Sequence, residues 1–257
     1  MERFFACVSR ASERVLLLDF DGTIAPFDAD PRRVRPYPGV ARLIDRIMAT
    51  EGNRVVIVSG RRLEDLAPAL SLERTPELWG SHGWQRQDAD GTVTDFEPPA
   101  AARKALDEAQ EKARSLEAWR ARVERKPASV AVHWRGLAPQ IAAAIREALL
   151  DAWLAHAQGP EVELTDFEAG LELRACGRNK GSVVEEVLSR AGPGTVAAYL
   201  GDDTTDEDAF GAIAGRGLGV LVRPLVRRTR AHAWIRPPTE VRAFLATWSA
   251  AAGGLRA

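Results

Sequence analysis

Residues 16–22 read Leu-Leu-Leu-Asp-Phe-Asp-Gly, an apolar run that ends in two aspartates one residue apart and then a glycine. The three leucines have the pattern of a strand buried on both faces, as in a parallel sheet. Asp19 and Asp21 then follow at the edge where open α/β sheets bind ligands. Two carboxylates at this spacing suit a hard, oxygen-preferring cation such as Mg²⁺ better than zinc. An acidic turn is the alternative, because Asp-Gly is common in turns.

Three further apolar segments each deliver polar residues at one end. Residues 55–58 are followed by Ser59-Gly60-Arg61, and Asn179-Lys180-Gly181 opens a helix-patterned stretch. Residues 197–200 lead into the acidic block 201–208, Gly-Asp-Asp-Thr-Thr-Asp-Glu-Asp. With Asp-Phe-Asp-Gly-Thr at 19–23, the chain order is an aspartate pair, a serine, a lysine and a second aspartate pair. This set resembles the haloacid dehalogenase superfamily of phosphotransferases.

The composition indicates a folded globular protein, with 257 residues of which 46% are hydrophobic and 28% charged. The net charge of -1 gives no electrostatic case for binding nucleic acid or an anionic membrane. Cys7 and Cys176 provide neither a disulfide framework nor a metal-ligand spacing, which favours a reducing, cytoplasmic location. We find no signal-peptide pattern and no apolar run of the roughly 20 residues that a membrane span needs.

Strand-like and helix-like segments alternate in both end regions of the chain. Strands are predicted at 15–19, 54–59, 78–81, 195–200 and 218–222, and helices at 40–49, 63–70, 180–190, 207–214 and 240–248. This rhythm predicts an α/β fold, with a Rossmann-like parallel sheet covered by helices on both faces. We expect this core to comprise residues 1–84 and 177–257.

The middle of the chain, residues 85–176, is predicted to be an inserted α/β domain. Two amphipathic helices at about 101–116 and 138–153 accompany short strands at 121–126, 129–135, 161–165 and 170–174. A two-residue turn at Pro127-Ala128 would pair residue 126 with residue 129 and collect polar side chains on one sheet face. That face would carry Arg122, Glu124, Lys126, Ser129, His133, Arg135, Glu172 and Arg174. It is either a solvated surface or an array of donors and acceptors for a polyhydroxylated ligand.

The superfamily resemblance gives the polar residues of the core their expected roles. Asp19 is the candidate nucleophile, which would form an aspartyl-phosphate, and Asp21 is the candidate general acid and base. Thr23, Ser59, Gly60 and Lys180 are expected to hold phosphate oxygens, and Lys180 also to hold Asp19.

The expected cofactor is Mg²⁺, held by Asp19, Asp202 and the backbone carbonyl of Asp21. Asp203 is the alternative second ligand, and Asp206 is expected to support the site. The cation would offset the repulsion between these carboxylates and a phosphate dianion. A helix N-terminus rich in acids is a compatible structural interpretation of the block 202–208.

Within the superfamily, the chain is most similar to the trehalose-6-phosphate phosphatase family. Residues 124–135 fit the family's Glu-x-Lys-x-x-Ser-x-x-x-His-x-Arg pattern, and Ser81-His82-Gly83, 171–174 and 201–207 also match. The resemblance covers about residues 15–248 and implies a mobile cap, hinged near His82-Gly83 and Gly177, that closes over a sugar phosphate. The residues it assigns to the substrate are Arg61, His82, Glu124, Lys126, Ser129, His133, Arg135 and Glu172.

The chain departs from the family pattern at a few positions. Trp84 and Gln85 stand where a small residue and a glutamate are usual, and Trp134 where a tyrosine is usual. A proline is usual near Ala175. The stretch 222–228, Val-Arg-Pro-Leu-Val-Arg-Arg, is more basic than the family pattern. Gln85 removes a charge near the predicted hinge.

Three functions are compatible with these observations. The first is a Mg²⁺-dependent phosphatase for trehalose 6-phosphate, and the second a phosphatase for another glycosyl or pseudo-disaccharide phosphate. The third is a catalytically silent regulatory module, against which Asp19, Asp21, Lys180 and Asp202 argue because they are intact. The predicted partner is a small-molecule sugar phosphate, not a nucleic acid or a membrane. The sequence does not define an oligomeric state, and a monomer is favoured.

Overall fold

The computed structural model describes residues 1–28, 30–167 and 169–254, without the side chains of residues 117–119. The chain divides into two compact units. The larger contains Met1–Thr94 and the described residues from Asn179 onward, and the smaller contains Asp95–Arg178. Within the described residues, no helix is both long and apolar enough to cross a bilayer.

Helices and strands alternate along most of the chain. The helices are α1 Glu2–Arg10, α2 Val40–Ala49, α3 Leu63–Leu70, α4 Ala100–Ser115, α5 Pro139–Trp153, α6 Lys180–Ser189, α7 Glu207–Ile213 and α8 Thr239–Gly253. The strands are β1 Arg14–Leu18, β2 Asn53–Val58, β3 Glu77–Gly80, β4 Gln85–Gln87, β5 Val93–Asp95, β6 Val123–Lys126, β7 Ser129–His133, β8 Val162–Phe167, β9 Gly170–Ala175, β10 Val196–Gly201, β11 Gly217–Val222 and β12 Ala233–Ile235. The α/β fold class predicted from the sequence is therefore confirmed.

The larger unit is built on an eight-stranded sheet with the order β12-β11-β10-β1-β2-β3-β4-β5. The strands from β12 to β3 are parallel, and β4 runs antiparallel to β3. β1 lies between β10 and β2, with Leu18 opposite Leu200 on one side and Ile57 on the other. The carboxyl ends of these three neighbouring strands therefore meet at one edge of the sheet.

Helices cover both faces of this sheet. Leu16 and Leu18 belong to a buried cluster that also contains residues of α1, α2, α3 and α8, such as Ile44. Because side chains alternate along a strand, Leu17 and Tyr199 point to the opposite face, where the Tyr199 ring meets Phe210 of α7 at 5.7 Å. Every residue of β1 is buried, as expected for a central parallel strand.

The smaller unit is a four-stranded antiparallel sheet, β6-β7-β9-β8, with two helices packed on it. Lys126 lies opposite Ser129, so Pro127-Ala128 is the predicted two-residue turn. The Trp153 indole of α5 donates a 3.0 Å hydrogen bond to the Ala109 carbonyl of α4, which ties the two helices together. Their buried faces, including Leu106 and Leu149, form the separate core of this unit.

The boundary of the inserted unit differs from the sequence prediction. The sequence predicts residues 85–94 in the insertion, but β4 and β5 extend the large sheet instead. Three-residue strands such as these carry too few side chains to show periodicity, and β12 escaped prediction for the same reason. Helix α1 was also missed. Its Phe4 and Phe5 rings pack against Trp248 and Phe244 of α8, a contact that only the folded chain reveals.

Candidate active site

Two neighbouring strands bring acidic residues together at the carboxyl edge of the large sheet. Asp19 follows β1, and its N–H donates to the Leu200 carbonyl of β10 at 2.9 Å. Asp202 follows β10 and is, like Asp19, only 3% exposed. Asp19, Asp202 and Asp206 each offer one carboxylate oxygen within 4.8 Å of the others. The pairing of β1 with β10 thus creates a buried acidic cluster.

Lys180 enters this cluster from the start of α6. The side chain of Asn179 caps the helix by accepting from the Ser182 N–H at 2.9 Å, which fixes where the first turn begins. The Lys180 ammonium donates to Asp19 Oδ1 at 2.8 Å and to Asp206 Oδ1 at 2.7 Å. Burial alone would lower the pKa of Lys180, but the charges and hydrogen bonds of the two aspartates raise it. The ammonium therefore stays protonated between two carboxylates.

Asp206 uses both of its carboxylate oxygens to hold other groups. Oδ1 accepts from Lys180 and from the Tyr199 hydroxyl at 2.5 Å. Oδ2 accepts from the N–H groups of Asp202 and Asp203 at 2.9 and 2.8 Å. With its side chain fully buried and all four bonds made inside the protein, Asp206 fixes the loop that carries Asp202.

The surroundings of the Asp202 carboxylate disfavour its negative charge, which a bound cation would stabilise. Its buried Oδ1 has no hydrogen-bond partner among the described residues. Burial raises the pKa of Asp202 well above its usual value, and Asp19 and Asp206 raise it further. Burial also raises the pKa of Asp19 to about 7 against the lowering effect of Lys180. With Asp206 holding the loop, the carboxylates of Asp19 and Asp202 are chemically suited to bind a hard divalent cation.

Gly22 leaves room for the Asp202 carboxylate. Gly22 has φ +78°, a left-handed conformation that side chains rarely adopt, and a Cβ there would lie 2.3 Å from Asp202 Oδ2. A larger residue would therefore displace the carboxylate.

Asp21, the predicted general acid and base, is bound by Arg61. The guanidinium donates from Nε to Asp21 Oδ2 and from Nη2 to Oδ1, both at 2.7 Å. Arg61 also lies 5.1 Å above the Phe20 ring and donates to the Pro31 carbonyl at 2.8 Å. The sequence assigned Arg61 to the substrate, whereas here it orients a carboxylate.

The predicted phosphate-binding residues border Asp19 and the end of β2. Thr23 Oγ1 donates to Asp19 Oδ2 at 3.1 Å, and Ser59 Oγ accepts from the Arg61 N–H at 3.2 Å. Gly60 allows the imidazole of His82 to approach, since a Cβ on Gly60 would lie 2.6 Å from that ring. The backbone N–H of His82 also donates to the Ser59 carbonyl at 3.0 Å.

His82 lies in a turn of unusual backbone. Ser81, His82 and Gly83 have φ values of 50°, 57° and 101°, three successive left-handed residues. Gln85 supports this turn, because its Oε1 accepts from Ser81 Oγ at 3.0 Å and from the Leu63 N–H at 3.3 Å. The amide thus serves as an acceptor at the position where the family pattern has a glutamate, and the neighbouring Trp84 is buried.

The smaller unit assembles five of the residues that the sequence assigned to the substrate. Glu172, 1% exposed, accepts from Lys126 Nζ at 3.1 Å and from Ser129 Oγ at 2.6 Å. His133 Nε2 and Glu124 Oε2 lie 2.8 Å apart. Burial opposes ionisation of Glu124, but the His133 hydrogen bond and the Lys126 charge lower its pKa. These side chains form two hydrogen-bonded groups on one polar face of the sheet.

Arg135, the sixth of these residues, follows β7 rather than lying in it. Its carbonyl accepts from Arg122 Nη1 at 3.4 Å, and the same guanidinium reaches the His133 carbonyl at 3.5 Å. Arg122 therefore holds the backbone at the end of β7.

Two kinds of residue at the site escaped the sequence analysis. Tyr199 stands within the apolar run of β10 and looked like a core residue, although its hydroxyl binds Asp206. Arg223 and Arg227 were noticed only as a basic departure from the family pattern, yet both donate to backbone carbonyls of the acidic loop. The excess of basic residues after β11 was the available signal for these two.

The chain is similar in sequence and in fold to proteins of one family. The family model described as trehalose-phosphatase matches residues 17–231. The trehalose-phosphate phosphatase of Mycobacterium marinum is 34% identical over 222 residues, which cover 81% of this chain and 53% of that protein. A probable trehalose-phosphate phosphatase 4 of Oryza sativa subsp. japonica is 30% identical, over 93% of this chain and 67% of that protein. The chain thus spans about half the length of the mycobacterial relative.

One solved structure shows the same fold over nearly the whole chain. The C-terminal domain of the C. albicans trehalose-6-phosphate phosphatase superposes with a TM-score of 0.82 at 22% identity. The match covers 98% of this chain and 96% of that domain.

Proposed function

Since the chain belongs to the trehalose-phosphatase family, we propose that it is a Mg²⁺-dependent phosphatase that hydrolyses trehalose 6-phosphate to trehalose and phosphate. One observation carries the proposal. The Lys180 ammonium holds the buried Asp19 carboxylate beside Asp202, whose Oδ1 has no hydrogen-bond partner among the residues that the structure describes. That arrangement combines a nucleophile with an incomplete site for a cation.

The reaction would proceed in two steps at Asp19. A carboxylate oxygen of Asp19 bonds to phosphorus while the bond from phosphorus to the sugar oxygen breaks, and Asp21 gives its proton to that departing oxygen. In the second step Asp21 takes a proton from water, whose oxygen bonds to phosphorus as the aspartyl-phosphate bond breaks. Asp19 is thereby regenerated and phosphate is released.

The surrounding residues would prepare these steps. Lys180 neutralises charge next to Asp19, and Thr23 orients its second oxygen. Asp19 and Asp202 would hold Mg²⁺ while Asp206 keeps Asp202 in position. When bound, the cation supplies positive charge that offsets the repulsion between phosphate and carboxylates and stabilises charge in the transferring group.

We further propose that the polar face of the smaller unit binds the sugar. Glu124, Lys126, Ser129, His133 and Glu172 present carboxylates, an ammonium, a hydroxyl and an imidazole that are already oriented by one another. Sugar hydroxyls both donate and accept hydrogen bonds, so such an array suits them. Arg135 is proposed to join this set.

A phosphatase for another glycosyl phosphate remains the second candidate, because the chemistry around Asp19 does not depend on the sugar. The paired state of Asp19, Asp21 and Lys180 supports an enzyme over a silent module. A cytoplasmic location and a monomeric state stay predictions from the sequence.

Release of phosphate from a panel of substrates tests the proposal. The panel holds trehalose 6-phosphate, sucrose 6-phosphate, glucose 6-phosphate and an aryl phosphate, each assayed with Mg²⁺ and with a chelator. We expect metal-dependent preference for trehalose 6-phosphate and loss of turnover in Asp19→Asn. Preference for another sugar phosphate would favour the second candidate, and activity in none would favour the silent module.

A further inference from the structure

Two arginines after β11 bind the backbone of the acidic loop. Arg227 Nη2 donates to the Asp203 carbonyl at 2.8 Å and reaches the Asp202 carbonyl at 3.5 Å. Arg223 Nη1 donates to the Asp202 carbonyl at 3.2 Å. Both arginines belong to the stretch 222–228, which is more basic than the family pattern.

The arginines themselves are anchored by contacts on their far side. Arg227 forms an ion pair with Glu207, the first residue of α7, and Glu207 also accepts from the Arg230 N–H at 2.7 Å. Arg223 is fixed through its backbone, where its N–H donates to Ile235 and its carbonyl accepts from the Trp234 indole at 2.8 Å. The Arg227 guanidinium and the Arg223 backbone are therefore both held in a defined position.

The two sides of the loop are held by different partners. Asp206 accepts the N–H groups of Asp202 and Asp203, and the arginines donate to the carbonyl groups of the same two residues. The peptide units that carry the Asp202 side chain are thus bound from both directions. The Asp202 carboxylate, whose Oδ1 has no hydrogen-bond partner in the described part of the chain, is therefore carried by a fixed backbone.

The positive charges of these arginines would by themselves weaken the binding of a cation at Asp202. A positive charge close to a cation site repels the cation, so its removal by field alone would strengthen cation binding. A positioning role predicts the reverse, because groups that orient metal ligands typically account for about 10–100-fold in affinity. The sign of the change therefore separates the two effects.

We propose that Arg227, assisted by Arg223, is a positioning residue that holds the Asp202 carboxylate ready for a divalent cation. This inference rests on the proposed function only in taking Asp202 as a cation ligand. It assigns a role to a basic segment that departs from the family pattern.

Binding of Mn²⁺ to the chelator-treated full chain, measured by the electron paramagnetic resonance of free Mn²⁺, tests the inference. We expect Arg227→Ala to weaken binding by about tenfold and Arg227→Lys to restore part of it. Arg228→Ala is the matched control, since it removes a neighbouring charge from an exposed side chain. The variant keeps the Arg228 backbone carbonyl, which accepts from Arg227 Nη1 at 2.9 Å. We expect no weakening in that variant.

The outcomes are distinct. Unchanged or tighter binding in Arg227→Ala, or equal weakening in Arg228→Ala, would overturn the inference, as would a wild-type chain that binds no Mn²⁺. If Arg227→Ala does not fold, Arg227→Lys and Glu207→Gln decide, and wild-type affinity in both would overturn it. A wild-type chain that binds Mn²⁺ and shows the expected loss but releases no phosphate would contradict the proposed function alone.

Discussion

Arg61 binds the carboxylate of Asp21 through two parallel hydrogen bonds of 2.7 Å. Such a two-pronged pair fixes the plane of the carboxylate as well as its position. The group proposed to exchange protons with the leaving oxygen and with water is therefore oriented before any substrate arrives.

Replacing Arg61 by alanine should impair proton transfer to the leaving group. We expect turnover of a sugar phosphate to fall by at least about tenfold, part of the factor that general acid catalysis supplies. The loss should be smaller for p-nitrophenyl phosphate, whose leaving group departs without a proton. Steady-state kinetics on both substrates checks this, with Arg62→Ala as control because Arg62 pairs with the exposed Glu64 instead. A raised KM with unchanged kcat would return Arg61 to the substrate-binding role predicted from the sequence.

Removing Lys180 should destabilise the protein strongly. Lys180→Met leaves the carboxylates of Asp19 and Asp206 buried without their ammonium, and breaking a buried pair in this way typically costs about 3–5 kcal/mol. Urea denaturation in the presence of a chelator measures the loss. Lys104→Met is the control, since Lys104 is 80% exposed and lies 3.9 Å from Glu108. Similar unfolding free energies for the two variants would contradict the prediction.

Cation stabilisation should depend on pH in a defined direction. The pKa of Asp19 is raised by burial to about 7, above its value of roughly 3.9 in an unfolded chain. The folded state therefore binds this proton more tightly, and the cation-free protein loses stability as the pH rises between these values. Because a cation needs the deprotonated carboxylates, Mg²⁺ should raise Tm more at about pH 8 than at about pH 5.5.

Thermal unfolding with Mg²⁺ and with a chelator at the two pH values measures this effect. Asp202→Asn should reduce the gain in Tm at the higher pH. An equal gain at both pH values in the wild-type chain would refute the linkage.

The acceptor role of Gln85 predicts which substitutions the turn tolerates. Gln85→Leu removes the acceptor of Ser81 Oγ and the Leu63 N–H, so we expect a loss of about 1–3 kcal/mol of unfolding free energy. Gln85→Glu keeps an acceptor at the same place and should retain wild-type stability and substrate preference. A changed substrate preference in Gln85→Glu would show that the missing charge matters for specificity.

Replacing Glu172 should weaken binding of the sugar without changing the chemistry at the phosphate. Glu172→Gln weakens the acceptor of Lys126 and Ser129, so we expect a higher KM for the sugar phosphate and unchanged kinetics on an aryl phosphate. Glu163→Gln is the control, since Glu163 is 46% exposed and pairs with Arg174 in the same sheet. Equal losses on both substrates would argue against a role in sugar binding.

Local patterns predicted most of the fold because they act over short distances. Helices α2 and α3 begin and end at the predicted residues, Val40–Ala49 and Leu63–Leu70. Apolar runs such as Leu16–Leu18 marked the central strands, and the turn at Pro127-Ala128 set the register of β6 and β7. The elements missed were α1, whose aromatic rings pack on α8 at the other end of the chain, and the three-residue strands, which are too short to show a period.

The candidate site divides in the same way. Strand ends in a parallel sheet converge, so Asp19 and Asp202 were predictable neighbours. The bond of Arg61 to Asp21 and that of Tyr199 to Asp206 were not, because each depends on rotamers and distances that a linear pattern does not contain. The arginines at 223 and 227 showed only as an excess of positive charge.

The position of β1 at the centre of the large sheet also bears on how the chain folds during synthesis. β2 to β5 follow β1 before the inserted unit, so five of the eight strands can form early, but β10 and Lys180 are made only after that whole unit. In a nascent chain, the Asp19 carboxylate therefore lacks its ammonium partner until Lys180, 161 residues later, has been made. Since domains tend to fold as they emerge and distant contacts form slowly, we expect nascent chains to remain inactive until residues 180–206 have been translated.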